Sequence, residues 1–252
     1  MTQPTNANYL RPFVAALFVA FFLFGNAQKK KVAVVSFFVD KTIDLSEVDA
    51  SADFIAQNTS LSDNPSFNLS KPLSDFYDAF FSNYVSKFEF ELIPEEKVLK
   101  LPEYQDYEAQ YGGSKNIGGQ DTYEQIDGYK VVQNYGKRTE VKKLKPIADA
   151  LGADAIMFIK LMYKFKRTGI GSLGYYSIQA IVSIDLFSKD NKSIFQFNEL
   201  AGSKKKAMMI GGIPVMTPEE IQPMCESATE ELIKDMNKKI TRLSKKANKK
   251  LK

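Results

Sequence analysis

The plainest candidates for acid–base chemistry are two pairs of neighbouring carboxylates, Glu95 with Glu96 and Glu219 with Glu220. A glycosidase-type dyad needs two carboxyl groups facing one another across the scissile bond, roughly 5 to 9.5 Å apart. Adjacent residues on a helix point about 100° apart, so neither pair supplies that geometry. Glu219 and Glu220 suit the first turn of a helix, near its positive pole. Gly169, Gly171 and Gly174 spell GxGxxG, a pattern that cradles a dinucleotide only where it opens a helix pointing at the pyrophosphate. The residues that follow, Tyr175 to Phe187, alternate with period two, so the glycines are expected to join two antiparallel strands. The glycines near Gly112 and Gly118 lack the lysine of a phosphate loop.

What is missing narrows the chemistry further. The 252 residues include no His and no Trp, and one Cys, Cys225. Without imidazole there is no Ser-His-Asp or Cys-His nucleophile and no HExxH zinc helix. One Cys forms neither an internal disulfide nor a Cys₄ metal site. Cys225 lies between Met224 and Ala228 in a predicted helix, where a buried thiol is expected. No catalytic, cofactor-binding or metal-binding residue is assigned, and the chain is read as a non-enzyme.

The elements that would position any site are legible from periodicity. Val32 to Val39 is apolar on both faces, as a strand buried on both sides must be. From Pro72, the residues Leu73, Phe76, Tyr77, Phe80, Phe81, Tyr84, Val85 and Phe88 recur at three- and four-residue steps, giving an amphipathic helix. A short strand around Phe90 to Ile93 follows. Val141, Leu144, Ile147, Ala148 and Leu151 mark a second helix, with Gly152 as its left-handed cap. Ala155 to Phe165, Tyr175 to Phe187 and Ser193 to Leu200 read as strands, and Pro218 to about Leu243 as a closing helix. Between them lie a polar stretch from Asp40 to Ser70 with a short apolar patch, Phe54 to Ala56, and an insertion, 102–138, rich in Tyr and Gly. The fold class is α/β (α+β): an open mixed sheet of about five strands flanked by helices, carrying that insertion.

Both ends of the chain carry their own signals. Arg11 precedes an apolar run, Phe13 to Phe24, that is shorter than the ~20 residues a membrane helix needs but fits the roughly 7 to 15 of a signal-peptide core. Gly25 and Ala27 are small, so cleavage is expected between Ala27 and Gln28. The domain plan is a signal peptide over 1–27, one domain over 28–243 and a basic tail over 244–252, with a periplasmic or extracellular location. From Lys238 to Lys252 the chain carries eight cations and no acid. Such a segment either contacts an anionic surface or ends a helix favourably at its negative pole.

Two apolar stretches remain as candidate partner surfaces. Tyr104, Tyr107, Tyr111, Tyr123, Tyr129 and Tyr135 fall in the insertion, where exposed tyrosines supply contact area at low entropic cost. Met208 and Met209 begin a segment, running to Met216, read as a soft apolar loop.

The order of elements, with KVAVV at Lys31 to Val35 and LGADAIMFIK at Leu151 to Lys160, resembles the envelope proteins related to the curli secretion component and the lipoprotein activators of penicillin-binding proteins. It is also similar to the N-terminal domain of the TolB translocation protein. The resemblance spans roughly Lys31 to Leu243 and implies envelope assembly or regulation through protein contacts. It transfers no site residues; the chain carries no lipobox Cys, and the 102–138 insertion shows no alternating run of the ~10 residues a barrel strand needs. The expected function is non-enzymatic binding of an envelope protein. A homo-oligomer is compatible with this, nucleic acid is not an expected partner, and the alternatives are a carboxylate-dependent hydrolase, a structural oligomer or a ligand-binding module.

Overall fold

The computed structural model describes residues 29–48, 61–62, 64–109, 122–132, 143–170, 173–210, 213–214 and 217–251. The leader with its Ala27/Gln28 cleavage site, the patch at Phe54 to Ala56, and Tyr111 and Tyr135 lie outside these residues.

Strand β1 (Lys31–Asp44) is the centre of the architecture. Its residues Val32 to Val39 are all buried, because the sheet is covered on both faces here. β1 pairs in parallel with β2 (Glu91–Leu92) on one side and β4 (Ala155–Ile170) on the other, and β3 (Tyr123–Gln125) adds antiparallel to Phe38–Asp40. From β4 the sheet continues as an antiparallel meander through β5 (Leu173–Ser188), β6 (Ser193–Ile210) and β7 (Ile213–Pro214), in the order β2-β1-β4-β5-β6-β7. The result is an open, curled mixed α/β sheet, with β3 and β7 added to the strands expected from sequence.

The alternation of β5 explains the main core. Tyr176, Ile178, Ala180, Val182, Ile184 and Leu186 are at most 1% exposed. They face α1 (Ser70–Ala79) and α5 (Pro218–Leu251). Helix α1 passes into a π-helical turn, Phe80–Tyr84, and a 3₁₀ turn, Val85–Lys87. A purely α-helical stripe at four-residue spacing drifts around the axis, and the wider π turn opposes that drift, so Phe76, Phe80 and Tyr84 stay in one core. The N-terminal end of α1 is held from β3, where Glu124 accepts hydrogen bonds from the Leu69 N–H and the Ser70 hydroxyl, both at 2.9 Å.

A second core lies on the opposite face. Ala33, Val35, Ile156, Phe158 and Phe187 pack against α2 (Glu95–Leu99), α3 (Pro102–Gln105) and α4 (Lys145–Leu151). Gly152 caps α4 at φ 62°, ψ 31°, the left-handed geometry that its position predicts.

Two expectations about the C-terminal region are corrected. Met208 and Met209 belong to β6, which pairs with β7 at Met209 and Ile210, so this stretch is a hairpin and not a loop. The basic residues 244–251 form no loose tail, because α5 runs through Leu251 with Leu243, Ser244, Ala247 and Asn248 buried. The apolar and small residues continue at helical spacing past Leu243, and Asn248 accepts a hydrogen bond from the Glu89 N–H at 3.1 Å.

Candidate partner surface

The tyrosines of the insertion do not share one surface. Tyr104 is 1% exposed and Tyr129 2% exposed, which corrects the expectation that they offer themselves to a partner. Tyr104 is held by its hydroxyl, which donates to the Val35 carbonyl at 2.8 Å and accepts from the Lys130 N–H at 2.9 Å. Burial raises its phenol above the usual range. Nearby, the Ser36 hydroxyl donates to the Lys130 carbonyl at 2.8 Å and accepts from the Val132 N–H at 3.0 Å. Ser36 sits beside a bulge in the β1–β4 pairing, and it stitches the end of the insertion to the central strand. Tyr129 packs against Phe37, and its buried hydroxyl has no hydrogen-bond partner among the described residues. Tyr107 and Tyr123 are half-buried, and Tyr123 meets Phe38 edge-on at 5.6 Å.

The carboxylate pairs have structural partners. Glu95 accepts the Tyr77 hydroxyl at 2.5 Å, and Glu96 pairs with Lys100 across one helical turn. Glu220 accepts the Thr217 N–H at 2.8 Å while its own N–H donates to the Thr217 carbonyl, which closes the start of α5. Neither pair converges on a common point. Cys225 is fully buried, and that burial pushes its thiol up. Among the described residues, no group of three His, Cys, Asp or Glu side chains is arranged to hold a metal ion. Gly169 stands opposite Gly174, and Ile170 opposite Leu173, in the β4–β5 hairpin, so the GxGxxG segment links antiparallel strands.

The exposed large hydrophobic side chains among the described residues are Leu200, 48% exposed, and Met208, 75% exposed, both on β6. Register extends each of them across the sheet. Leu200 stands opposite Ile181, which stands opposite Met162, and Met208 stands opposite Tyr175. Met162, Ile181 and Tyr175 are half-buried. Directly opposed side chains share a face, the one opposite the β5 side chains that pack in the main core; Met208, near the end of β6, also borders the first turns of α5.

Charge frames the face unevenly. On β4, Lys160 pairs with Asp40 at 2.9 Å, and Lys164 and Lys166 pair with Glu47 at 2.9 and 3.0 Å. On β6, Lys204 pairs with Glu231, whereas Lys206 lies over the Tyr175 ring at 4.0 Å. A hydrogen bond from Lys206 lowers the Tyr175 phenol from its usual value. A bulge at Ser203 sets this geometry: its hydroxyl accepts from the Ile178 N–H at 3.2 Å and donates to the Lys205 carbonyl at 2.6 Å. Between this end of β6 and the first turns of α5 lies an open groove of about 700 Å³, with Ala207, Met208, Pro223 and Met224 as its apolar lining. Sequence reading found Met208 as a surface residue but missed Leu200, Ile181 and Met162. Their signal is the apolar residue on the otherwise polar face of each strand.

No protein-family model and no curated protein matches the chain. Among solved structures, a hypothetical protein from Chlamydia trachomatis aligns with 11% identity and a TM-score of 0.34, covering 85% of this chain and 99% of that one. A neuraminyllactose-binding hemagglutinin homolog from Helicobacter pylori aligns with 9% identity and a TM-score of 0.36, covering 90% of this chain and 96% of that one. At these TM-scores neither likeness bears on fold or function.

Proposed function

We propose that this chain is an exported envelope protein that works by holding a partner protein, without chemistry of its own. The observation that carries this reading is the exposure of Leu200 and Met208 on β6, Leu200 extended across the sheet by Ile181 and Met162, and Met208 set beside Tyr175. Exposed apolar patches rimmed by polar groups mark protein contact sites; on β5, Ser177 and Gln179 separate the Leu200 patch from Met208. The lysines of β6 favour acidic side chains at the partner's rim, where charge guides encounter. The leader supports export, and the structural engagement of Glu95, Glu96 and Glu220 argues against a carboxylate-based reaction.

Site-specific photo-crosslinking in cells tests the proposal. A photoreactive residue at Met208 or Leu200 is expected to trap one and the same protein, whereas one at the exposed Ser82, on the π turn, traps none. Indiscriminate products from all three positions overturn it.

A further inference from the structure

We infer that the end of the molecule opposite the β6 groove is a contact site for anionic phospholipid headgroups, built by the last turns of α5 and the start of β1. This goes beyond the partner-binding reading and uses different residues.

On α5, Arg242, Lys245, Lys246, Lys249 and Lys250 are exposed, and no carboxylate pairs with any of them among the described residues. With about 100° per residue, they fall on one side of the helix, and about 12 Å of axis separates Arg242 from Lys250. The other side is fixed to the domain by Leu243, Ser244, Ala247 and Asn248. The cations therefore form a rigid stripe in place of a solvated tail.

Contacts bring the start of the mature chain to the same end. Asn248 accepts from the Glu89 N–H, and two residues later the Glu91 N–H donates to the Lys30 carbonyl. Lys29 and Lys30 are exposed there. The carboxylates at this end are largely engaged: Asp154 with Lys30, and Asp149 with Lys145 and Lys189. Glu89 and Glu91 are exposed beside the stripe and are outnumbered by its cations.

A membrane is favoured over other polyanions by the leader. Only Gly25 to Gln28 separate Lys29 from the apolar run ending at Phe24, so that run begins within about 18 Å of Lys29 along even a fully extended chain. Until the leader is cut, this basic end is tethered beside the bilayer into which the run inserts, and the stripe gives it anionic headgroups to meet there. Each Lys or Arg near an anionic surface strengthens binding roughly fivefold.

Co-sedimentation of the cleaved, exported chain with vesicles is the test. Binding is expected to vesicles of equal parts phosphatidylglycerol and phosphatidylcholine, not to phosphatidylcholine alone, and to weaken as salt is raised. The triple variant Lys245→Gln, Lys246→Gln, Lys249→Gln should bind about 100-fold more weakly and still melt cooperatively, because Gln is as good a helix former as Lys and only the attraction of these cations to the helix's negative pole is lost. Lys249→Gln alone should bind about fivefold more weakly. Equal binding to both vesicle types overturns the inference, as does an unaffected triple variant. So does an equal loss in a control triple, Lys204→Gln, Lys205→Gln, Lys206→Gln, at the opposite end, or tighter binding of duplex DNA than of the anionic vesicles.

Discussion

The hydroxyl of Tyr163 on β4 meets the hydroxyl of Thr229 on α5 at 2.7 Å inside the main core. Thr229 also donates to the Cys225 carbonyl one turn back, at 3.1 Å, so it accepts from Tyr163, and both residues are 1% exposed. This bond ties the longest helix to the sheet at a point where neither group can turn to water. Thr229→Val leaves the Tyr163 hydroxyl buried and unpaired, at a cost of about 1–3 kcal/mol. Adding Tyr163→Phe removes the stranded group, so the double variant should be more stable than Thr229→Val alone. A urea-denaturation cycle of the four proteins checks this; a double variant less stable than Thr229→Val would show that the two hydroxyls are not coupled.

The start of the insertion should behave as core. Tyr104→Phe strands the Val35 carbonyl and the Lys130 N–H in a buried setting, and a loss of about 1–3 kcal/mol is expected. Tyr123→Phe keeps the ring against Phe38 and should change stability by less than about 0.5 kcal/mol. Equilibrium unfolding of both variants measures the difference.

The β4–β5 hairpin needs a glycine at position 174. Its φ is +150°, and a Cβ there would lie 2.3 Å from the Thr168 carbonyl oxygen, which is backbone and has little room to move. Gly174→Ala should therefore cost about 1–3 kcal/mol. Gly202, on β6, has open space where a Cβ would stand, and Gly202→Ala should stabilise by about 0.4–1 kcal/mol through the unfolded chain. Thermal melts of the two variants should move in opposite directions.

Much of this fold is legible from periodicity, because a side chain's burial follows from its spacing along an element. The alternation from Tyr176 to Leu186 marks β5, the stripe from Leu73 to Tyr84 marks the helix beneath the sheet, and Gly152 marks where α4 must end. The rest depends on contacts distant in sequence. Tyr104 is buried because the backbone of Val35 and Lys130 satisfies its hydroxyl, and no local pattern announces that partnership. β6 runs ten residues beyond Leu200 because a bulge at Ser203 absorbs the irregularity of Lys204 to Lys206, which reads as a break. The candidate surface was half legible: Met208 is conspicuous alone, but Leu200 becomes part of a row only once register sets it beside Ile181 and Met162.

The exposed apolar residues of β6 are tested most directly by the double substitution Leu200→Asp, Met208→Asp. Both side chains face water, so the melting temperature should stay close to that of the unaltered protein. With both forms tagged and recovered from native envelope under identical conditions, the unaltered protein should retain a specific partner that the variant loses by at least about tenfold, as removal of contact-centre residues does. Equal recovery of the same partner by a stably folded variant would contradict the assignment of this face as the binding surface.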